Sequence, residues 1–388
     1  MTEQRPTPSR RRLVWFRVAA LLLGLALGLL SVEVGLRLAG VQAARFITKR
    51  QLIDDSPGLS HYYHCYPDNP VGELTPPPDV LTGSWLLQDY TFEHAELPLS
   101  RLSETPWCVE YRHSSRGIRD REYEEPPPAG SVRLAVVGDS FVFGEGVPED
   151  KTLPRQLKTA LGPHVECVNA GQVGANVEQE LAILQAVAPG AHCQAALLVL
   201  IPNDIPLTTE LATRQNYIND LILVRDKYLE RNRAWYHGRS RVLDLALTPW
   251  QMARVRRETI QWYLDSYDPK FNGTNLQRLQ EQLSALKTST PVPIGVILYP
   301  LMEGFESSYP LQPVHAALSK AASNAGLPVC DLAPAFQGQS AEALWVHVSD
   351  RHPNGTAHRL AAEAIAQWLR QEHPEWLQPP GGPLEAQP

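Results

Sequence analysis

Residues 133–146 read RLAVVGDSFVFGEG, and this stretch decides how the chain folds. The apolar run 134–137 leads directly into Gly138, Asp139 and Ser140. A short, uninterrupted apolar run that ends in a turn is typical of a strand buried in a parallel sheet. Because open α/β sheets carry their chemistry at the carboxyl ends of the strands, Ser140 is a candidate nucleophile. Taken alone, the same serine also fits the N-cap of a helix.

From residue 131 onward, strand-like and helical patterns alternate. Strands are predicted at 134–137, 165–168, 195–201, 294–299 and 328–332, and helices at 153–161, 178–186, 275–288, 312–325 and 357–370. Apolar strands separated by helices imply a parallel sheet that is covered on both faces. We therefore predict an α/β domain over residues 131–372, with a flavodoxin-like three-layer α/β/α arrangement and a five-stranded parallel sheet.

A long insertion, residues 206–272, separates the third and fourth predicted strands. Connections in the core of an α/β domain are much shorter than this. The insertion is rich in tyrosine, tryptophan and arginine, and we interpret it as a helical cap over the carboxyl ends of the strands. The alternative is a surface excursion with no role at the site.

The overall composition is that of a globular protein with a sizeable core. The chain has 388 residues, of which 43% are hydrophobic and 20% charged, and its net charge is −7. This balance gives no bulk basic signature, so nucleic acid is not an expected partner. The cysteines show no Cys-x-x-Cys spacing, and we expect neither a metal nor a cofactor.

An apolar segment near the N-terminus predicts a membrane span. The tail 1–12 ends in three consecutive arginines and precedes residues 13–38, whose core 18–30 carries no charge. About 20 apolar residues cross a bilayer, so 13–38 is interpreted as a transmembrane signal anchor. The arginine-rich tail is then cytoplasmic and the large domain extracytoplasmic, in the periplasm. The alternative is a signal peptide cleaved near the Val-Gln-Ala of residues 41–43.

The segments on either side of the α/β domain are less regular. Residues 41–130 are rich in proline and aromatic residues, and we interpret them as a stalk followed by an irregular lead-in. Residues 373–388 are rich in proline and glycine near their end and are interpreted as a disordered tail. These segments bound the domain that carries the chemistry.

The cysteines suggest one disulfide and some buried thiols. Export permits disulfides, and Cys65 and Cys108, which both precede the serine strand, are the candidate pair. Cys167 and Cys330 fall in apolar strand-like runs, where buried free thiols are expected.

Three further blocks place polar groups beside predicted strands and helices. Gly174 follows the second strand, and its N–H could approach a ligand closely. Asn203 follows the third strand, where its amide could donate to a developing oxyanion. His352 precedes the last helix, and Asp350 could orient its imidazole. Each block alone also fits an ordinary turn, cap or surface loop.

The four blocks together resemble those of the SGNH (GDSL-like) hydrolase family. That family supplies a serine, a glycine, an asparagine and a histidine in this order, and the resemblance covers about residues 131–372. It implies that Ser140 is the nucleophile and His352 the general base. It also implies an oxyanion hole formed by the N–H groups of Ser140 and Gly174 and the side chain of Asn203.

The chain departs from the family pattern at two positions. The usual third block is Gly-x-Asn-Asp, but Ile201 stands in place of the glycine, so the backbone before Asn203 is more tightly packed than in the family pattern. The usual last block is Asp-x-x-His, but here Ser349 stands at the usual aspartate position and Asp350 is two residues before His352. Asp-x-His occurs in the wider family, including some polysaccharide acetyltransferases, and we predict that Asp350 is the orienting acid.

The segment before the serine strand adds to the resemblance. Residues 115–122 read SRGIRDRE and look similar to an Arg/Asp-rich segment of membrane-anchored bacterial members of the family. The alternative is a solvated charged turn.

The resemblance implies a serine esterase or O-acyl (acetyl) ester hydrolase that works through an acyl-Ser140 intermediate. Water would release the acyl group, whereas a sugar hydroxyl in its place would make the chain a polysaccharide O-acyltransferase. The expected substrate is an extracytoplasmic acyl ester of a lipid or glycan, and the membrane is a partner through the N-terminal helix. A third possibility is a non-catalytic binding or assembly module of the same fold.

Overall fold

A computed structural model of the chain describes residues 10–41, 114, 117–214, 235–236, 239–347 and 350–379. Its central sheet consists of β1 Val132–Gly138, β2 Val165–Gly171, β3 Ala195–Leu200, β4 Ile294–Leu298 and β5 Val329–Asp331. The strand order is β2-β1-β3-β4-β5, and every neighbouring pair is parallel. This is the flavodoxin-like order, so the predicted fold class is confirmed.

The helices fall close to the positions that the sequence predicts. They are α1 Arg10–Leu38, α2 Ser140–Phe143, α3 Leu153–Leu161, α4 Val177–Gly190, α5 Arg241–Ser266, α6 Pro269–Ser289, α7 Gln312–Asn324, α8 Ala333–Phe336 and α9 Gly355–Glu372. A short antiparallel hairpin, β6 Trp345–His347 and β7 Asp350–Pro353, precedes α9. The periodicity of the sequence does not predict α2, α5, α8 or the β6–β7 hairpin, which carries His352.

Helices cover both faces of the sheet. α3 packs on β2 and against α9, whereas α4 packs on β1 and β3 and against α6. The chain reverses its direction across the sheet after β2, and right-handed crossovers place the helices before and after such a reversal on opposite faces. Because β1 and β3 are buried along their whole length, they are almost continuously apolar.

The reversal of strand order creates a crevice at the carboxyl end of β1, between β2 and β3. The last residue of β2, Gly171, lies directly against the backbone of α2. A Cβ at Gly171 would lie 2.0 Å from the nitrogen of Phe143 and 2.5 Å from the carbonyl carbon of Val142. Glycine at this position therefore allows α2, which begins with Ser140, to sit on the end of the sheet.

The C-terminal segment remains packed beyond α9. Residues Pro374–Leu377 form a turn of 3₁₀-helix, and Trp376 is buried. The indole of Trp376 packs edge-on against Trp368, with ring centroids 6.0 Å apart, and stacks on His373 at 4.1 Å. The predicted start of a disordered tail at residue 373 is therefore wrong, because burial of the indole holds this segment on the domain. Residues 380–388 lie outside the described residues.

The N-terminal helix α1 is 29 residues long. Its mean hydropathy reaches 2.3 over an 18-residue window, and it is long and apolar enough to cross a membrane. The longest described element of the insertion is α5, 26 residues long, whose last turns bury Trp262 and Tyr263. Residues 215–234 lie outside the described part of the chain, so the interpretation of the insertion as a cap stays a prediction.

The cysteines of the described chain are buried thiols. Cys167 and Cys330 are free, which confirms the expectation for both, and Cys193 is also buried. Burial raises the pKa of the Cys330 thiol to about 12, so it stays protonated. Cys65 and Cys108 lie outside the described residues, and their pairing stays a prediction.

Candidate active site

Ser140 is the first residue of α2, immediately beyond the carboxyl end of β1. The N-cap of α2 is Asp139, whose carboxylate accepts a hydrogen bond from the N–H of Phe141 at 2.9 Å. The alternative reading of Ser140 as an N-cap is therefore wrong, because its neighbour has that role. Ser140 Oγ lies 3.2 Å from Asp139 Oδ2, and the serine is buried apart from a small exposed fraction. The hydroxyl is thus held at the sheet edge rather than used to cap the helix.

His352 reaches this hydroxyl from β7. Its Nε2 lies 2.9 Å from Oγ of Ser140, and its ring packs edge-on against Phe141, with centroids 5.7 Å apart. Asn354 fixes the strand that carries it, because its Oδ1 caps α9 and its amide donates to two carbonyl oxygens in the segment 343–345. The structure therefore brings together the two residues that the sequence assigns as nucleophile and base.

The acid that would orient His352 is not defined by the described residues. The backbone of Asp350 pairs with that of His347 in the β6–β7 hairpin. Residues 348–349 and the side chains of His347 and Asp350 lie outside the described part of the chain. The assignment of Asp350 as the orienting acid stays a prediction.

The carboxylate of Glu145, which is not among the predicted site residues, also contacts His352. Its Oε2 lies 3.2 Å from Nε2 of His352, and only 11% of its side chain is exposed. Glu145 follows α2 between Gly144 and Gly146, which have φ angles of 82° and 79°. An acid between two glycines directly after the serine helix is the sequence signal that could have revealed it.

The two remaining oxyanion candidates lie at the same edge of the sheet. Gly174 follows β2 with a φ of 71°, Asn203 follows β3, and both are exposed. The segments that carry them are joined by a hydrogen bond of 3.1 Å from the N–H of Val177 to the carbonyl oxygen of Asp204. Neither residue bonds to Ser140 among the described hydrogen bonds, so their role as donors stays a prediction.

Ile201, which replaces the glycine of the family pattern, fits into the fold while the turn after β3 stays closed. Its side chain is buried in the core, and its N–H donates to Oδ2 of Asp204 at 2.5 Å. The carboxyl group of Asp204 therefore closes the turn on which Asn203 stands. This contact sets the backbone of Asn203 in the absence of the usual glycine.

The charged segment before β1 holds the far end of α2. Arg119 is buried, and its guanidinium donates to three carbonyl oxygens, those of Phe143 at 2.8 Å and of Gly144 and Val147 at 2.5 Å each. These bonds fix the end of α2 and the turn that carries Glu145. Arg119 is a positioning residue that the sequence analysis did not identify individually.

The neighbouring Asp120 is also buried rather than solvated. Its carboxylate accepts hydrogen bonds from the N–H of Asn169 at 2.7 Å and the hydroxyl of Tyr123 at 2.6 Å, and it contacts the guanidinium of Arg155. Burial raises the pKa of Asp120, and the charge of Arg155 opposes this shift. The alternative of a solvated charged turn is therefore wrong for Arg119 and Asp120.

Several acidic groups are buried behind the site. Burial raises the pKa of Asp139 to about 6, although the Phe141 N–H opposes this. Burial and then the charge of Asp204 raise the pKa of Glu180 well above its usual range. Both carboxyl oxygens of Glu180 are fully buried and have no hydrogen-bond partner among the described residues. Burial therefore favours the neutral, protonated form of this carboxyl group.

The described residues also show what the site could hold. No group of three or more His, Cys, Asp or Glu side chains in the described chain is arranged to bind a metal ion. A serine hydroxyl in contact with an imidazole, at the crevice of a doubly wound sheet, is the arrangement that nucleophilic serine catalysis requires.

Known proteins resemble the chain only distantly. No protein-family model matches it, and no curated protein does. Among solved structures, it is similar to the lipase/acylhydrolase from Enterococcus faecalis, with a TM-score of 0.36 and 12% identity over 62% of this chain and 95% of that chain. An alpha/beta hydrolase enzyme from the metagenome of Lake Arreo, Spain, gives a TM-score of 0.35 and 15% identity over 62% and 95% of the two chains.

A further similar structure is a carbohydrate acetylesterase family member from Sinorhizobium meliloti. Its TM-score is 0.33, with 11% identity over 62% of this chain and 97% of that chain. These likenesses are weak, and the chemistry of this chain follows from the geometry of its own site.

Proposed function

We propose that the chain is a serine hydrolase of acyl esters, with Ser140 as nucleophile and His352 as general base. The observation that carries this proposal is the 2.9 Å contact between Nε2 of His352 and Oγ of Ser140. Its position at the reversal of strand order adds support, because ligands of open α/β sheets bind there. Such a contact is within the range in which a base takes a proton from a nucleophile.

The reaction proceeds in two halves. His352 Nε2 takes the proton of Ser140 Oγ while that oxygen forms a bond to the ester carbonyl carbon. The negative charge on the carbonyl oxygen is stabilised by the N–H groups of Ser140 and Gly174 and the amide of Asn203, each worth on the order of 10² to 10³ in turnover. The imidazolium then gives its proton to the departing alkoxide, which leaves acyl-Ser140.

The second half returns the enzyme to its starting state. His352 takes a proton from water, the resulting hydroxide attacks the acyl-Ser140 carbonyl, and the acid leaves as Oγ regains its proton. Asp350 orients the imidazole and stabilises its cationic form in both halves.

The proposed location of the α/β domain follows from the membrane span α1. This helix crosses the membrane with the arginine-rich tail 1–12 in the cytoplasm, so the α/β domain lies in the periplasm. The substrate is then an extracytoplasmic ester of a lipid or a glycan. The asymmetry of positive charge around the span supports this orientation.

The test is hydrolysis of p-nitrophenyl acetate and p-nitrophenyl octanoate by the full chain in detergent. We expect wild-type turnover to exceed that of Ser140→Ala and of His352→Ala by on the order of 10⁴-fold. Equal turnover of wild type and Ser140→Ala for every ester would contradict the proposal and favour a binding module. Transfer of the acetyl group to an added polysaccharide would identify a transferase that uses the same intermediate.

The orienting acid is tested separately with Asp350→Ala and Ser349→Ala. We expect Asp350→Ala to lose turnover and Ser349→Ala to retain it. Loss in Ser349→Ala alone would show that the assignment of Asp350 is wrong.

A further inference from the structure

The outer end of α1 is bound to the beginning of α5 through one carboxylate. Glu33 accepts hydrogen bonds from the N–H of Arg241 at 3.0 Å, the N–H of Val242 at 2.9 Å and the hydroxyl of Ser240 at 3.0 Å. The two N–H groups belong to the first turn of α5, where backbone donors have no partner within the helix. Negative charge is favoured at this end of a helix. The start of α5 therefore lies at the same height along the membrane normal as Glu33.

The position of Glu33 along the membrane normal follows from the number of residues in α1 that cross the hydrocarbon core. A hydrocarbon core of about 30 Å is crossed by about 20 helical residues. Counted outward from Arg12, such a span covers residues 13–32, so Glu33 is the first residue beyond the hydrocarbon. The first residues of α5 consequently begin in the outer interface of the bilayer.

The beginning of α5 is apolar, and several of its apolar side chains are exposed. Residues 241–250 read RVLDLALTPW and carry only two charges, of which Asp244 is buried. Leu245 and Leu247 are 40% and 39% exposed, and Trp250 is 64% exposed. A helix with exposed apolar side chains on more than one side fits a lipid environment rather than water.

A second tryptophan extends this surface across the start of the helix. Trp235 is 71% exposed, and the carbonyl oxygen of its neighbour Tyr236 accepts a hydrogen bond from Ser240 at 3.0 Å. Tryptophan is enriched at the headgroup level of membranes. We call Trp235 and residues 241–250 together the apolar arm.

Positive charge follows the apolar arm along α5. Arg254, Arg256 and Arg257 come one to two turns after Trp250. Basic residues beside an apolar segment are typical of helices in the membrane interface. About 18 Å further along the helix axis from Trp250, α5 enters the protein core with the buried Trp262.

The same helix is joined to the strand that carries the catalytic histidine. Arg256 pairs with Oε1 of Glu303 at 2.8 Å, and Arg351 pairs with Oε2 of the same carboxylate at 2.5 Å. Arg351 is the residue before His352. α5 therefore links the outer end of the anchor to the site through contacts within one molecule.

We infer that the apolar arm lies in the outer interface of the bilayer that α1 crosses, with lipid as its partner. The domain is then held by two membrane contacts, which fix the distance and the tilt of the site relative to the lipid surface. This inference rests on the proposed membrane span and is independent of the proposed ester hydrolysis.

The test is photocrosslinking of the full chain in vesicles of phosphatidylethanolamine and phosphatidylglycerol that contain a radiolabelled phosphatidylethanolamine. The photoreactive residue p-benzoylphenylalanine replaces Trp250 or Leu245 in the arm, Leu29 in the span, or Glu363 on the exposed face of α9. All four side chains lie on the protein surface, so the substitutions leave the packing of the domain unchanged.

We expect lipid label at positions 29, 245 and 250 and none above background at position 363. Label at 29 without label at 245 and 250 would overturn the inference while leaving the span intact. Absence of label at 29 would overturn both. A crosslinked dimer in place of labelled lipid at 250 would assign the surface to a second copy of the chain and would also overturn the inference.

Discussion

Oε2 of Glu145 lies 3.2 Å from Nε2 of His352, the same nitrogen that lies 2.9 Å from Oγ of Ser140. A general base must be neutral to accept the proton of the serine. A carboxylate at this distance favours the charged imidazolium instead. Glu145 is therefore expected to oppose the role of His352 as a base in the proposed mechanism.

Glu145→Gln tests this effect. Because the variant no longer stabilises the imidazolium, the low-pH limb of kcat/KM is expected to move to lower pH. The measurement is the pH profile of p-nitrophenyl acetate hydrolysis. Glu149→Gln, which removes an acid paired with Arg155 instead, is the matched control. A limb that stays in place or moves to higher pH would contradict the role of Glu145.

Gly171→Ala tests the close packing of α2 on the end of β2. The new Cβ would lie 2.0 Å from the backbone nitrogen of Phe143, and backbone cannot give way as a flexible side chain does. We expect a loss of about 1–3 kcal/mol or more in the free energy of unfolding and loss of most esterase activity. Gly190→Ala, where a Cβ has nothing within 4 Å, should change neither. Wild-type stability in Gly171→Ala would show that α2 can move away from β2.

Arg119→Lys tests how the end of α2 is held. An ammonium group cannot reproduce the fork that reaches three carbonyl oxygens, so some of these carbonyls lose their partner at a cost of about 1–3 kcal/mol each. We expect a lower Tm and a lower kcat with a nearly unchanged KM, because Arg119 positions the turn without touching substrate. Arg121→Lys, at an exposed pair with Glu166, is the control. A higher KM with unchanged kcat would point to substrate binding instead.

Glu180→Gln tests the buried acid behind the site. Burial raises the pKa of Glu180 in the folded state, so its stabilising effect is complete below the unfolded pKa of about 4.3 and is lost as the pH rises towards the folded pKa. A glutamine has no such dependence. The Tm advantage of the variant should therefore widen between pH 5 and pH 8, as measured by calorimetry. Glu178→Gln, at a half-buried acid that is paired with Arg278, is the control, and an advantage independent of pH would rule out this explanation.

The sequence predicts the sheet well because its strands are buried on both faces. A buried parallel strand such as β3, Ala195–Leu200, is a short, continuous apolar run, which is typical of such strands. The order of Ser140, Gly174, Asn203 and His352 along these strands was sufficient to predict which residues share one sheet edge. The structure places two of these residues, Ser140 and His352, in contact across 212 residues of sequence.

Other features depend on contacts that no local pattern encodes. The helix α2 is four residues long, too short for a helical period to be recognised. Arg119 lies in a segment whose sequence also fits a solvated turn. It can be buried because carbonyl oxygens of a distant turn accept hydrogen bonds from its guanidinium. Trp376 likewise looks like part of a polar tail until its packing against Trp368 is known. Tertiary burial, rather than propensity, decides each of these cases.

Covalent labelling of Ser140 by a fluorophosphonate tests the central claim most directly. The serine oxygen would form a bond to phosphorus as fluoride leaves, and the full folded chain should gain one phosphonyl group on the peptide that contains Ser140. Ser140→Ala should gain none, and His352→Ala should react far more slowly because its nucleophile has no base. A folded wild-type protein that resists labelling, or equal labelling of Ser140→Ala, would contradict the assignment of Ser140 as an activated nucleophile.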